Sequence, residues 1–257
     1  AAGDSVTQPP MQDGRVGQRL ARLDGRAKVN GSERFGADVI PAEALLARAI
    51  RSPHHRARFS FGDLDAYVRA APGVIRILTA ADIPGRNLHG VIPPFADQPV
   101  FAIDEARFKG EAVAAIVGAR QEIERLDLSK FPVVWEPLPY CLTPDEALAP
   151  GASLLHPSRP DNILVRGHVE KGDVTNAASQ GDITVEGAFD AGFVEHAYIE
   201  PEAGFARRIG ERIEISACTQ SPYMDRDDVA TILGIAPENV RIIPTAVGGG
   251  FGSKLDL

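Results

Sequence analysis

Short apolar runs separated by Gly and Pro dominate the first half of the chain. Residues 74–79, 112–117 and 131–136 have the length and apolar character of buried strands. Between them, residues 63–71 and 121–128 have the composition and the apolar spacing that favour helices. This succession of short strands and helices predicts a mixed α/β domain.

Residues 42–50 (AEALLARAI) are made of good helix formers, although they also show partial two-residue alternation. Their propensity predicts a helix. Further along, Thr143 stands as an N-cap before Pro144 at the first helical position, and Glu146 completes a capping box. This pattern predicts a short helix that ends near Ala149, followed by a linker rich in Pro and Gly.

The second half also contains segments in which apolar and polar positions alternate, as they do in half-buried strands. Ile183, Val185 and Phe189 belong to one such segment, and Ile213 and Ile215 belong to another. Each segment is therefore predicted to form a strand.

A helix and a strand are predicted near the end of the sequence. Residues 225–233 place apolar side chains on one helical face, and Gly234 is a typical C-terminal stop. Residues 240–244 (VRIIP) predict a strand that leads into the glycine-rich run 248–254 (GGGFGSK). Such a run can bring backbone N–H groups close to an anionic group or an oxo ligand.

Composition narrows the class of protein. The 257 residues include 27 Lys and Arg against 35 Asp and Glu, a net charge of −8, which argues against a nucleic-acid partner. No apolar run approaches the roughly 20 residues that cross a bilayer, so no membrane insertion is expected. Cys141 and Cys218 belong to no CxxC unit, so the sequence indicates neither zinc nor an iron–sulfur cluster in this chain. A reducing, cytoplasmic location is expected.

The glycine-rich run and the sequence around Gln220 are the main candidates for a binding site. The run matches neither a Walker A loop nor a GxGxxG fingerprint, so it favours a tight turn over another kind of ligand. Gln220 follows a predicted strand, and its amide can both donate and accept hydrogen bonds.

Residues 195–202 (EHAYIEPE) place three carboxylates and a His close together, which permits a metal site or an acid–base site. No second His or Cys completes a ligand set. We therefore predict a structural hydrogen-bonded cluster in this segment. Cys218 is interpreted as a buried residue because no base near it is identifiable.

A series of short segments, each weak alone, has a characteristic order and spacing. They are 24–38 (DGRAKVNGSERFGAD), 51–53 (RSP), 72–74 (PGV), 81–85 (ADIPG), 108–114 (FKGEAVA), 136–139 (EPLP), 171–173 (KGD), 195–201 (EHAYIEP), 219–220 (TQ) and 248–254. Together they resemble the large, molybdopterin-binding subunit of the molybdenum hydroxylases, the xanthine dehydrogenase and aldehyde oxidase family. The resemblance extends over most of the chain.

The resemblance implies an α+β fold with three parts. Residues 1–24 would be an N-terminal arm, residues 25–149 an a/b hammerhead domain, and residues 150–257 the beginning of the first molybdopterin-binding domain. We expect the surface of this partial second domain to be apolar where the remainder of the domain packs.

The resemblance also implies a role for each candidate segment. In the family, the Gln at the position of Gln220 hydrogen-bonds an oxygen ligand of molybdenum. The Phe-Gly pair at Phe251 and Gly252 lies against the cofactor, and Gly249 and Gly250 are implied to bind it too. Gln220 and Phe251 would face the metal without being its ligands, because the pterin dithiolene holds it.

The implied reaction is hydroxylation of a heteroaromatic ring (purine-, nicotinate- or quinoline-like) or of an aldehyde, with water as the oxygen source. Xanthine-using members carry a Glu three residues after the Gly of the Phe-Gly pair. This chain has Leu255 there, so we expect an apolar contact to a substrate other than a purine. The implied cofactor is molybdenum with molybdopterin, as the cytosine dinucleotide, and electrons would leave through [2Fe–2S] and FAD.

The implied partners are the remaining molybdopterin-binding polypeptide, an iron–sulfur subunit and an FAD subunit. The family's general-base Glu lies far downstream, so no catalytic residue is expected before Leu257. The chain would then be the N-terminal portion of a large subunit that is split, cleaved or truncated. Two other classes stay open: a non-catalytic scaffold module related to that subunit, and a phosphate-binding enzyme that uses the loop at Gly248.

Overall fold

The computed structural model describes residue 17 and residues 20–255, so most of the predicted N-terminal arm, 1–24, lies outside the described residues. The first part of the chain contains helices and strands in mixed order. They are α1 Gly25–Asn30, β1 Leu46–Arg51, β2 Ala57–Phe61, α2 Leu64–Ala70, β3 Val74–Thr79, β4 Glu105–Ala106, β5 Ala112–Gly118, α3 Arg120–Arg125, β6 Val133–Pro137 and α4 Pro144–Leu148.

Two three-stranded antiparallel sheets organise this first part. One has the strand order β1-β5-β3 and the other β4-β2-β6. β5 is the central strand of the first sheet, and its Val113 and Ile116 are completely buried. They share one core with Ile123 from α3 and with Phe59 and Phe131. Burial of these apolar side chains is the main stabilisation of the sheet pair.

Most predicted elements of this part are confirmed, with shifts of one to three residues at their ends. The capping box is present, since the Thr143 hydroxyl accepts a hydrogen bond from the Glu146 N–H at 3.3 Å. The Glu146 carboxylate in turn accepts from the Thr143 N–H, also at 3.3 Å. Helix α4 therefore begins where the sequence predicts.

The helix predicted over 42–50 is wrong. Residues 46–51 form strand β1, which pairs along its length with β5, from Leu46 opposite Gly118 to Ile50 opposite Ala114. Pairing with β5 buries Ile50, and the two-residue alternation then determines the conformation despite the helix-forming composition. The guanidinium of Arg48, a residue of β1, donates to the carbonyl oxygen of Ile123 in α3 at 3.0 Å.

The second part contains a smaller sheet. Its elements are α5 Val174–Ser179, β7 Gly204–Ile209, β8 Arg212–Ala217, α6 Pro222–Leu233 and β9 Val240–Pro244. β7 pairs with β8 antiparallel, whereas β8 and β9 are parallel and are joined by α6. The strands predicted at Ile213 and at 240–244 and the helix stopped by Gly234 are confirmed. No helix in the described part of the chain is both long and apolar enough to span a bilayer.

The strand predicted at Ile183, Val185 and Phe189 is wrong for this structure. Residues 183–189 have no regular secondary structure, and the three apolar side chains are exposed, Phe189 to 96%. A strand needs a hydrogen-bonded neighbour, and none of the described strands pairs with this segment.

Backbone contacts join the two parts of the chain. The N–H groups of Gly85 and Arg86 donate to the carbonyl oxygens of Ile232 and Thr231 in α6, at 2.9 and 3.0 Å. A Cβ atom at Gly85 would lie 2.2 Å from the Thr231 oxygen, so only glycine permits this approach. Phe35 forms a further parallel bridge to Ala246.

We predict that Gly85→Ala weakens this contact, because the added methyl group must displace the end of α6. The expected loss is about 1–3 kcal/mol of unfolding free energy, as for overpacked sites. Denaturant unfolding of the protein would measure it. Gly167→Ala is the control, because its Cβ would meet nothing within 4 Å. Equal stability of both variants would contradict the prediction.

Candidate site at the parallel strand ends

Two segments that are far apart in sequence meet where β8 and β9 end. Gln220 comes shortly after β8, and the glycine-rich run follows β9. Because the two strands are parallel, their carboxyl ends lie at the same edge of the sheet. The Gln220 N–H donates to the Lys254 carbonyl oxygen at 2.7 Å, and the Gly252 N–H donates to Gln220 Oε1 at 3.0 Å.

This pairing orients the Gln220 amide. Oε1 accepts from the N–H groups of Gly252 and Lys254, at 3.0 and 3.4 Å, so the oxygen is directed into the loop. The amide nitrogen, Nε2, donates no hydrogen bond to any group in the described part of the chain. The side chain is exposed and therefore presents an N–H donor at the surface.

Thr219 and Asp225 fix the turn that carries Gln220. The buried Thr219 hydroxyl donates to the Asp225 carboxylate in the first turn of α6 and accepts from the Ser221 N–H at 2.9 Å. These hydrogen bonds replace the sheet pairing that ends at β8 and set the direction in which the chain enters the helix.

Three glycines give the loop its shape for different reasons. A Cβ at Gly250 would lie 2.4 Å from Gln220 Oε1, and a Cβ at Gly249 would lie 2.9 Å from Tyr198 Cβ. Gly252 has φ +99° and faces open space, so its backbone is accessible from outside. Phe251 also has a positive φ, 53°, and the residue is 73% exposed. A strained, exposed aromatic residue beside an open glycine is typical of a surface that binds a ligand.

A buried ion pair lies beneath this loop. The Lys254 side chain is fully buried, and Nζ donates to Glu200 Oε2 at 3.0 Å and to the Glu200 carbonyl oxygen at 2.9 Å. The ammonium also lies 4.5 Å from the centre of the Tyr198 ring, which is within cation–π distance. These contacts compensate the positive charge of the Lys254 ammonium, which would be costly to bury without a partner.

The Glu200 carboxylate binds two further backbone groups. Oε2 accepts from the Gly248 N–H at 2.6 Å, and Oε1 accepts from the Gly36 N–H at 3.2 Å. Burial by itself would raise the pKa of Glu200. The hydrogen bonds from Gly248, Lys254 and Gly36 together outweigh burial and lower the pKa below its usual value.

The structural role predicted for segment 195–202 is confirmed for Glu200 alone, whose carboxylate partners, Gly36, Gly248 and Lys254, lie outside the segment. Glu202 is exposed, and Glu195 and His196 are largely exposed. No group of three or more His, Cys, Asp or Glu residues that could hold a metal occurs among the described residues. The pairing of Glu200 with Lys254 was not predicted. The sequence did contain one signal for it, because Lys254 is the single charged residue in a glycine-rich run. If that run is buried, the lysine ammonium needs a carboxylate as its partner.

The other predicted residues have simpler surroundings. Leu255, the predicted substrate contact, is half-buried directly after Lys254. Cys218 is buried, as predicted, with Sγ 3.8 Å from the Ala203 carbonyl oxygen.

Two family models match the chain. Residues 30–139 match the model described as "Aldehyde oxidase and xanthine dehydrogenase, a/b hammerhead domain". Residues 155–257 match the "Molybdopterin cofactor-binding domain". The second match contains both Gln220 and the glycine-rich loop.

Several similar curated proteins are named as molybdopterin or molybdenum-binding subunits. The chain is 34% identical over 243 residues to the nicotinate dehydrogenase large molybdopterin subunit of Eubacterium barkeri, covering 94% of this chain and 56% of that protein. It is 32% identical over 253 residues to the xanthine dehydrogenase molybdenum-binding subunit of Escherichia coli O157:H7, covering 92% of this chain and 32% of that protein. The chain thus spans about half, or less, of the length of these relatives.

Solved structures of similar proteins share the fold. The aldehyde oxidoreductase from Desulfovibrio desulfuricans has a TM-score of 0.80 at 26% identity, covering 94% of this chain and 28% of that one. The quinoline 2-oxidoreductase from Pseudomonas putida 86 has a TM-score of 0.79 at 26% identity, covering 91% of this chain and 31% of that one.

We predict that Gly250→Ala expels the Gln220 amide from the loop, because the new Cβ would overlap Oε1. The hydrogen bond from the Gly252 N–H would break, at a cost of about 1–3 kcal/mol in unfolding free energy. Denaturant unfolding and a crystal structure of the variant would measure both effects. Gly192→Ala, in open space, should change neither. An unmoved Gln220 side chain in the Gly250 variant would refute the prediction.

We predict that the stabilisation from Glu200 depends on pH. Its pKa is lowered in the folded protein, so its contribution is present above the unfolded pKa and is lost as pH falls through the folded pKa. Glu200→Gln should cost about 3–5 kcal/mol near neutral pH, and the difference from wild type should shrink below about pH 4.

Unfolding titrations of both proteins between neutral pH and pH 3 would test this expectation. Glu211→Gln, which removes an exposed carboxylate in the turn between β7 and β8, is the matched control. A constant difference between wild type and Glu200→Gln over the whole range would show that the charge of Glu200 contributes nothing.

Proposed function

Because the chain belongs to the xanthine dehydrogenase and aldehyde oxidase family, we propose that it forms one wall of a molybdopterin site in a molybdenum hydroxylase. The observation that carries this proposal is the hydrogen bond from the Gly252 N–H to Gln220 Oε1, at 3.0 Å. It joins the two candidate segments and leaves the Gln220 Nε2 donor directed away from the loop.

The donor set fits the proposed cofactor. A metal held by a pterin dithiolene needs hydrogen-bond donors and space from the protein rather than ligands. This wall offers a neutral amide donor at Gln220 and an open glycine backbone at Gly252. The Glu200 carboxylate, which contacts the loop, is turned inward to Lys254 and cannot compete for the metal. A phosphate site would instead favour an available cation, and the loop's only Lys is buried.

Each residue of the wall has a distinct task in this proposal. Gln220 directs its amide N–H toward the metal centre and so orients the bound cofactor. Gly249 and Gly250 allow the loop to pack closely, while the backbone at Gly252 contacts the cofactor. Phe251 covers the site with an exposed aromatic ring and excludes water from it.

The cofactor would supply the redox chemistry, hydroxylation of a carbon with oxygen taken from water. We propose a heteroaromatic or aldehyde substrate, because similar proteins are named as nicotinate, xanthine, quinoline and aldehyde enzymes. Leu255 would add an apolar contact where a carboxylate would bind a purine. The general base would come from a downstream part of the enzyme.

The proposed assembly contains the remaining molybdopterin-binding polypeptide and partners that carry [2Fe–2S] and FAD. Residues 183–199 expose a series of apolar side chains, as expected for a surface covered by another part of the domain. We also propose a division into a hammerhead domain, 25–149, and a partial molybdopterin domain, 150–257. The cytosine dinucleotide form and a cytoplasmic location complete the proposal, the latter supported by two free cysteines.

We predict that Gln220→Ala lowers turnover on the order of 100-fold, as does the loss of one preorganised donor in other enzymes. Molybdenum and pterin content should stay near wild type because the cofactor is held by many groups. Elemental analysis, pterin fluorescence and steady-state kinetics of the enzyme purified from its native source would measure these quantities. Gln121→Ala, at an exposed position of α3, is the control.

The other classes of function predict different outcomes. A wild-type complex without molybdenum and pterin would overturn the enzyme proposal and favour the scaffold module. Nucleotide binding by such a complex, lost on substitution in the glycine-rich loop, would instead favour a phosphate-binding enzyme.

A further inference from the structure

We propose that Lys254 is a positioning residue of the site, which sets the orientation of the Gln220 amide without contacting the bound cofactor. The catalytic consequence of this role rests on the proposed function. Its structural part, the control of the loop by a buried ion pair, stands on the contacts within this chain.

Lys254 contacts Gln220 through its backbone on both sides. Its carbonyl oxygen accepts from the Gln220 N–H at 2.7 Å, and its own N–H donates to Gln220 Oε1 at 3.4 Å. The position of the Lys254 backbone therefore determines where the Gln220 amide lies. Any force that fixes Lys254 also fixes the amide.

The Lys254 side chain is held from three directions. Nζ contacts the Glu200 carboxylate and carbonyl oxygen, and the Tyr198 ring lies 4.5 Å away. Because the side chain has no exposed surface, the ammonium cannot turn to solvent without opening the loop. A lysine on the surface would impose no such restraint.

The same carboxylate closes the loop at its other end. Glu200 Oε2 accepts from the Gly248 N–H as well as from Lys254 Nζ, so one oxygen joins the first and last residues of the run. Oε1 accepts from the Gly36 N–H in the first part of the chain. The loop is thereby clamped between Glu200 and Gln220, and Phe251 and Gly252 are left on the outer side.

The structure therefore separates the loop residues and the two residues that hold the loop, Gln220 and Glu200, into two groups. Gln220, Phe251 and Gly252 face outward and are available to a ligand, while Glu200 and Lys254 face inward and hold them there. The inner pair would affect catalysis only through the Gln220 amide. Removal of the amide should then make the enzyme insensitive to removal of the pair.

The test begins with hydrogen–deuterium exchange of the enzyme complex, a measurement that does not depend on its activity. We expect Lys254→Met to raise exchange in the 248–255 peptide by about tenfold or more, because the Gly252 and Lys254 N–H groups lose a fixed acceptor. Lys130→Met removes an exposed lysine and should leave exchange unchanged. Unchanged exchange in Lys254→Met would overturn the proposal.

Kinetics then distinguish positioning from general damage. Lys254→Met should lower kcat about tenfold or more with little change in KM, and Gln220→Ala/Lys254→Met should be no slower than Gln220→Ala alone. Additive losses in the double variant would overturn the proposal. Glu200→Gln/Lys254→Met leaves no unpaired charge, so it should assemble even where Lys254→Met does not, and its loop should still exchange faster than wild type.

The two proposals fail in different ways. Absence of molybdenum and pterin from the wild-type complex would refute the proposed function, while the exchange experiment would still decide whether Lys254 controls the loop. Normal cofactor content with unaltered exchange in both Lys254 variants would refute the positioning role alone.

Discussion

One carboxylate, that of Glu200, connects three segments of the chain through the hydrogen bonds of its two oxygens. It binds the Lys254 ammonium and the Gly248 N–H of the glycine-rich loop and the Gly36 N–H of the first domain. The loop is rich in glycine and has little conformational preference of its own. The single conformation of the loop therefore depends on its contacts with the Glu200 carboxylate and with the Gln220 amide.

The ion pair determines where charge lies in the proposed site. The Lys254 ammonium and the Glu200 carboxylate neutralise each other on the inner side of the loop, and the outer side presents the Gln220 amide, the Gly252 backbone and the Phe251 ring. A free carboxylate or ammonium there would bind the metal or an anion for itself. An ion pair on the inner side fixes the loop and places neither of its two charges on the proposed binding face.

Local signals predicted most of the fold, and the errors occurred where distant pairing decides the structure. The capping box at Thr143 and the stop at Gly234 act over a few residues, so the sequence identified them directly. Residues 42–50 have helical propensity, but pairing with β5 made part of them a strand. The contact between Gln220 and the loop followed from resemblance rather than from propensity, because 32 residues separate Gln220 from Gly252. Lys254, the one charged residue of the glycine-rich run, indicated that a carboxylate was needed, but nothing local identified Glu200, 54 residues away, as the partner.

The irregular segment around Phe189 also shows that pairing with a distant strand decides the structure, here because no such pairing is present among the described strands. Its alternation of Ile183, Val185 and Phe189 has the period of a strand with one buried face, yet those side chains are exposed and no described strand pairs with it. Alternation can specify which face is apolar, but hydrogen bonds to a neighbouring strand must satisfy the backbone. The alternating pattern alone therefore did not determine the conformation of this segment. By contrast, β8, β9 and α6, the elements that position Gln220 and the glycine-rich loop, all lie within this chain and pair with one another.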